Sequence, residues 1–160
     1  MSVFKRGTAE LDPPNTKDPK WLELARSELG VKEVSGSKSN PRIDEYASET
    51  SLHATSDETP WCASFVSWCL EKSGIKSTRN AWAQSYTNWG EHLDIPINGC
   101  VVVFRWSAEA GHVGFYEASH KGSMKLPILG GNQSNQVCVK DFGDSIGSVV
   151  GYRWPKGVLR

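Results

Sequence analysis

The sequence predicts an α+β domain in which helices pack against an antiparallel β-sheet. Helix signals are confined to the first 90 or so of the 160 residues. From Ile97 onward, short β-branched and aromatic runs are separated by Gly, Asn, Asp and Ser. Because helices and strands are segregated along the chain, alternating βαβ units with a parallel sheet are disfavoured.

The chain is predicted to hold one folded domain preceded by an arm. Residues 1–18 are polar and include Pro13 and Pro14, which favours a solvated arm, and residues 19–160 are long enough for a single core. The first ten residues contain no apolar run that fits a signal peptide or a membrane span. We therefore expect synthesis in the cytoplasm.

The first two helices are predicted from their starting residues. Asp18 is the expected N-cap of the first, with Pro19 at its first helical position and Gly30 at its end. The second is expected to open at Asn40-Pro41.

The third helix has the sharpest start signal. Thr59 is the expected N-cap, Pro60 lies in the first turn, and the helix is predicted over 61–72 with Gly74 as its end. Cys62 then falls in the first turn. One further short helix is expected between residues 80 and 90.

The strands follow as an antiparallel meander. Each predicted strand is a short run rich in β-branched, aromatic or aliphatic residues. The runs are 101–104, 112–116, 126–129, 136–139 and 149–154.

Cys62 is the candidate nucleophile. The first turn of a helix offers unpaired amides and the positive end of the helix dipole, and both stabilise a thiolate. With an imidazole nearby, such placement can lower the pKa of a cysteine. The alternative is a small buried hydrophobic residue.

His112 is the candidate general base. It lies at the start of a strand within Gly111-His112-Val113-Gly114-Phe115, where small neighbours allow an outward-facing imidazole and close approach of a substrate. The alternative is a core histidine with satisfied hydrogen bonds.

A third polar group should orient the imidazole, and Asn132 follows the strand that contains Gly130-Gly131. The alternative for Asn132 is a turn residue. Trp61 and Gln133 are candidate substrate-binding residues of the groove. Histidine and cysteine spacings show no zinc pattern, so neither a metal nor a cofactor is predicted.

Three segments carry a resemblance to a known superfamily. Pro60-Trp61-Cys62-Ala63-Ser64, Gly111-His112-Val113-Gly114-Phe115 and Gly130-Gly131-Asn132-Gln133 resemble the NlpC-type and CHAP-type cysteine amidases and peptidases of peptidoglycan. The resemblance implies a papain-like fold. It also implies cleavage of an amide bond in the stem peptide or at its junction with sugar, with Cys62 as nucleophile, His112 as base and Asn132 as the polar third member.

The chain departs from the family pattern at two positions. Many CHAP-type enzymes carry a Glu two positions before the Asn, where this chain has Gly130. The acid of the family's Pro-x-x-Gly-Asp segment is replaced by Cys100. Both departures leave the nucleophile and base intact, and the scissile bond stays open.

The resulting expectation is a monomeric peptidoglycan hydrolase, acting as a phage endolysin or as an interbacterial effector with a cognate immunity protein. It would act in the periplasm or cell wall after delivery by a holin or a secretion machine. The zero net charge gives no electrostatic reason to expect nucleic acid as a partner. Two alternatives are a papain-like toxin or deamidase with a protein target, and a non-enzymatic wall-binding module.

Overall fold

The structure, a computed structural model, describes residues 18–35, 39–50 and 60–160. Within them lie three α-helices and a six-stranded antiparallel sheet, which confirms the α+β prediction. The helices are α1 (Lys20–Ser27), α2 (Pro41–Ala47) and α3 (Cys62–Lys72). The strands are β1 (Glu91–Leu93), β2 (Val101–Arg105), β3 (Gly111–Tyr116), β4 (Pro127–Gln133), β5 (Gln136–Asp141) and β6 (Val149–Trp154).

The sheet is a meander only in part. Its strand order is β1-β6-β2-β3-β4-β5, so β2 to β5 form the predicted meander. The last strand is a correction, because β6 returns to pair with β2 instead of following β5. The 3₁₀ turns of Gly143–Ser148 precede β6 on this return path. Strand β1, which was not predicted, pairs with β6 at the sheet edge.

Strand β2 is central because its sequence is apolar without alternation. Val101, Val102, Val103 and Phe104 are all fully buried. A strand of this kind needs cover on both faces and neighbours on both edges. The return of β6 to the free edge of β2 meets the second need.

Helix α3 forms the centre of the helical layer. Every residue from Cys62 to Leu70 is buried, so the helix is enclosed on all sides. It packs against β3 and β4 and is contacted by α1 and α2. The N-terminus of α3 is thereby held close to the strands that carry His112 and Asn132.

The predicted start of α1 is wrong in detail. Pro19 occupies the N-cap position, and no side chain among the described residues caps the helix. Asp18 instead accepts hydrogen bonds from the charged guanidinium of Arg26 and from the side-chain amide of Asn98. Asp18 is the only residue of the predicted arm, 1–18, that lies within the described part of the chain.

The other helix starts have mixed outcomes. The start of α2 is confirmed, since the Asn40 side chain accepts from the backbone N–H of Arg42 at 2.9 Å. For α3, Thr59 lies outside the described residues, and the N-cap position is Trp61. The helix predicted between residues 80 and 90 is a single 3₁₀ turn, Ala83–Tyr86.

In the described residues, no helix has the length and apolar character needed to cross a bilayer.

Candidate active site

A cleft of about 560 Å³ brings most of the predicted site residues together. It lies between the start of α3, the β2–β3 hairpin and the β4–β5 pair. Cys62, His112, Asn132 and Gln133 line it. Its other lining residues are Pro60, Ala81, Trp82, Ala83, Trp106, Glu109, Ala110, Gly111, Ser134, Lys140 and Phe142.

Cys62 is the first residue of α3 and is buried at the base of the cleft. Backbone N–H groups of Val113 and Ala63 lie where they stabilise its thiolate. Since Val113 follows His112, the sulfur lies beside the strand that carries the imidazole. Burial nevertheless outweighs these donors and raises the pKa of Cys62 above its ordinary value. The lowered pKa expected from the helix start is therefore not found.

His112 is held inside a set of aromatic rings. Its imidazole stacks on Phe142, with centroids 5.2 Å apart and planes 11° apart, and lies 6.5 Å from the ring of Trp106. Only 6% of its surface is exposed. Burial, helped by the charge of Lys140 and opposed by the hydrogen bond to Gln133, lowers the pKa of His112 to about 4. The resting imidazole is therefore neutral at pH 7.

The imidazole of His112 is buried, which corrects the prediction that it faces outward. Gly111 and Gly114 instead make room for neighbouring side chains. A Cβ at position 111 would lie 2.1 Å from Nε2 of Gln84. A Cβ at position 114 would lie 2.5 Å from a methyl group of Ile128. Both glycines thus let neighbouring side chains close around the strand.

Gln133 is the residue that hydrogen-bonds the imidazole. Its Oε1 accepts from Nε2 of His112 at 2.9 Å. Its Nε2 donates to the carbonyl oxygens of Ile128 and Cys138, at 3.0 and 2.7 Å, so the orientation of the amide follows from its partners. Because Oε1 can only accept, Nε2 of His112 carries the proton. Nδ1 is then left as the basic nitrogen.

The hydrogen bond predicted for Asn132 is therefore made by Gln133, and a β-bulge is the reason. In a regular strand, residues 130 and 132 point to the same face. The β4–β5 register shifts between Gly130 and Gln133, and Asn132 has φ +57°. The bulge turns residue 133 toward His112 in place of residue 132.

Gly130 makes this arrangement possible. A Cβ at position 130 would lie 2.4 Å from Oε1 of Gln133 and 3.3 Å from Nε2 of His112. Any larger residue would displace the Gln133 amide from the imidazole. The departure from the family pattern at position 130 was thus the signal in the sequence that the histidine partner comes from elsewhere.

Trp61 does not line the cleft, which corrects its predicted role in substrate binding. Its ring is buried, stacks on Tyr46 at 5.9 Å, and donates its N–H to Glu33 at 2.9 Å. A Cβ on Gly131 would lie 2.7 Å from this ring. Trp61 therefore sets the spacing between the start of α3 and strand β4.

The cleft contains residues that the sequence did not single out. Trp82 and Trp106 lie at its rim, and Phe142 and Lys140 lie beside the imidazole. Trp82 falls in the tryptophan-rich segment 80–90, which was assigned only a helix.

Two of the other three thiols are poor nucleophiles. Cys69 and Cys100 are fully buried, and burial raises the pKa of Cys69 well above its usual range and that of Cys100 to about 12. Cys138 is half-buried in β5. A larger groove of about 870 Å³, between Trp21, Trp154 and the last residues of the chain, contains none of the predicted site residues.

Comparison with known proteins gives one family. The model of the CHAP domain matches residues 54–132, a segment that includes Cys62, His112 and Asn132. No curated protein matches the chain. CHAP domains are generally cysteine- and histidine-dependent amidohydrolases, so the match supports amidase or peptidase activity on peptidoglycan. It confirms the resemblance drawn from the three motifs, because residues 54–132 match the CHAP domain.

Proposed function

We propose that this protein hydrolyses an amide bond of peptidoglycan, with Cys62 as nucleophile and His112 as general base. The observation that carries the proposal is the hydrogen bond from His112 to Gln133 at 2.9 Å. It keeps the proton on Nε2 and leaves Nδ1 free to take the proton of a thiol. The amide of Val113, next to His112 in the chain, lies against the sulfur of Cys62.

The mechanism starts from an uncharged pair, because burial raises the pKa of Cys62 and lowers that of His112. His112 takes the thiol proton through Nδ1 as the sulfur attacks the carbonyl carbon of the scissile amide. The backbone N–H of Cys62 helps to stabilise the oxyanion. His112 then protonates the leaving amine, and water hydrolyses the thioester.

Gln133 takes the role of the orienting third member in this proposal. Its amide is fixed by two backbone carbonyls, so it can hold the imidazole without carrying charge. Asn132 lines the cleft beside it and is assigned to substrate contact.

Digestion of purified sacculi tests the nucleophile. The wild-type protein should release soluble peptide, and folded Cys62→Ala should release none, since the nucleophile is absent. Cys69→Ala is the matched control because it removes a sulfur from the same helix. Soluble peptide released by folded Cys62→Ala would exclude the mechanism.

Kinetics of two further variants test the third member. Gln133→Ala should lower kcat by at least about tenfold, because an unoriented imidazole reacts from the wrong tautomer or angle. Asn132→Ala should act mainly on KM. The reverse pattern would return the orienting role to Asn132.

For the biological setting, we propose action on the wall after delivery, as an endolysin or as an effector paired with an immunity protein. Expression in a Gram-negative host with and without an added secretion signal tests this. Lysis should need both export and Cys62. Killing from the cytoplasm that depends on Cys62 would instead indicate a toxin or deamidase with a protein target.

A further inference from the structure

The seven tryptophans fall into two groups by their indole N–H. Five donate a hydrogen bond inside the protein and are buried or half-buried. They are Trp21 to Gly99 O, Trp61 to Glu33, Trp68 to Glu45, Trp89 to Lys76 O and Trp154 to Val158 O. Such pairing is usual, since an indole removed from water needs an acceptor.

Trp82 and Trp106 form the second group. Their surfaces are 53% and 48% exposed, and both line the cleft that holds Cys62 and His112. Within the described residues, neither indole N–H has a hydrogen-bond partner. The two tryptophans that the core does not use are thus both at the rim of the candidate active site.

A ring contact supports the side chain of Trp106, and a hydrogen bond holds the backbone at Trp82. The ring of Trp106 stacks on Phe104 at 6.1 Å, with the planes 19° apart. The backbone N–H of Trp82 donates to the side chain of Asn80 at 2.8 Å, at the start of the 3₁₀ turn. Because the Trp106 ring is packed on Phe104 and still about half exposed, it has little conformational entropy to lose on binding a ligand.

We propose that Trp82 and Trp106 bind the sugar part of the substrate, an N-acetylated hexosamine. The inference rests on the proposed function, because it assigns one part of peptidoglycan to this rim. A pyranose ring offers C–H groups to an indole face, and its hydroxyl and acetamido oxygens accept from the indole N–H. Asn132 and Ser134 add neutral polar groups in the same cleft.

The rim lies close enough to His112 for a bound sugar to affect which substrates are cleaved. The centroid of Trp106 lies 6.5 Å from that of His112. A sugar held against this rim therefore lies beside the reacting amide, and not at a remote anchoring surface. The rim would select substrates whose peptide is still attached to glycan.

Nuclear magnetic resonance of the indole N–H groups in the Cys62→Ala protein tests the proposal. The titrant is the β-1,4-linked tetramer of N-acetylglucosamine. Resonances of Trp82 and Trp106 should shift, and those of the five internally bonded tryptophans should not. A stem peptide without sugar is the matched ligand. No shift with the tetramer, or shifts of these two resonances with the peptide alone, would overturn the proposal.

Substitutions in the Cys62→Ala background give the affinity readout. Trp82→Ala should weaken tetramer binding by at least about tenfold, since large aromatic side chains often dominate such contacts. Trp82→Phe should recover part of the loss. Ile95→Ala removes a side chain that is 70% exposed and lies outside the cleft, and it should leave binding unchanged. Equal affinity of the folded Trp82→Ala and Ile95→Ala proteins would refute the sugar site.

Failure of this inference and failure of the proposed function are separable. If the wild-type protein digests sacculi but Cys62→Ala does not bind the tetramer, only the sugar-site proposal is refuted. If Cys62→Ala binds the tetramer but the wild-type protein digests no sacculi, only the proposed hydrolase activity is refuted, and the cleft is a sugar-binding site.

Discussion

The buried neutral imidazole of His112 should make the protein sensitive to acid. Burial lowers its pKa from 6.5 to about 4 in the folded state. As pH falls below 6.5, the unfolded chain binds a proton at this residue while the folded protein does not. The stability that is present above pH 6.5 is therefore lost progressively, and the loss reaches about 3 kcal/mol near pH 4. This is a large share of the roughly 5–15 kcal/mol that holds a typical domain folded.

Urea unfolding at pH 7 and pH 4 measures this contribution. The reference protein is His112→Gln, whose side chain does not titrate and can still donate to Gln133. Other groups with lowered pKa values, such as the carboxyls of Glu71 and Glu117, also reduce the free energy of unfolding in acid, and they do so equally in both proteins. The difference between the two pH dependences therefore isolates His112.

The wild-type protein should lose about 3 kcal/mol more than His112→Gln between pH 7 and pH 4. If the free energy of unfolding changes with pH in the same way in the wild type and in His112→Gln, the imidazole titrates near its ordinary pKa and is not buried as described. A ring-proton titration of His112 with a midpoint near 6.5 would refute the reasoning directly.

Three further predictions concern the supports of the site. Gly131→Ala should destabilise the fold by about 1–3 kcal/mol, measured by urea unfolding, because its Cβ would meet the Trp61 ring at 2.7 Å. Cys69→Ser should cost about 1–3 kcal/mol in the same measurement but keep sacculus digestion, since it places a hydroxyl in a fully buried position. Arg26→Met should cost about 3 kcal/mol in urea unfolding, because it removes the cation paired with the buried Glu117 carboxylate, and Arg26→Lys should cost less.

Much of the fold could be predicted because it depends on local patterns. The apolar run that became β2 and the Asn40-Pro41 start of α2 specify their own conformations. The path of β6 depends on which sheet edge is free, and a short run such as β1 has no pattern of its own. The path of β6 and the position of β1 depend on tertiary packing, so local sequence patterns could not predict them.

The candidate site was predictable to the level of the segment but not of every side chain. Cys62 and His112 come together as expected, because a helix start and a strand start each carry a distinctive motif. The His112 partner shifted by one residue, from Asn132 to Gln133, since a single bulge inverts the alternation of a strand. Burial likewise decided the pKa values, and burial is set by the whole fold.

The uncharged state of Cys62 and His112 depends on the uncharged side chain of Gln133. A carboxylate reaching from position 130 would start from a Cβ 3.3 Å from Nε2 of His112, and it would raise the pKa of the imidazole. Gly130 removes that option, and the Gln133 amide accepts the same hydrogen bond without charge. Among the described residues, the side chain that hydrogen-bonds the imidazole carries no charge. Burial therefore keeps His112 unprotonated and Cys62 a thiol. We therefore expect charge to separate only as the sulfur attacks, when the developing oxyanion meets the amides at the start of α3.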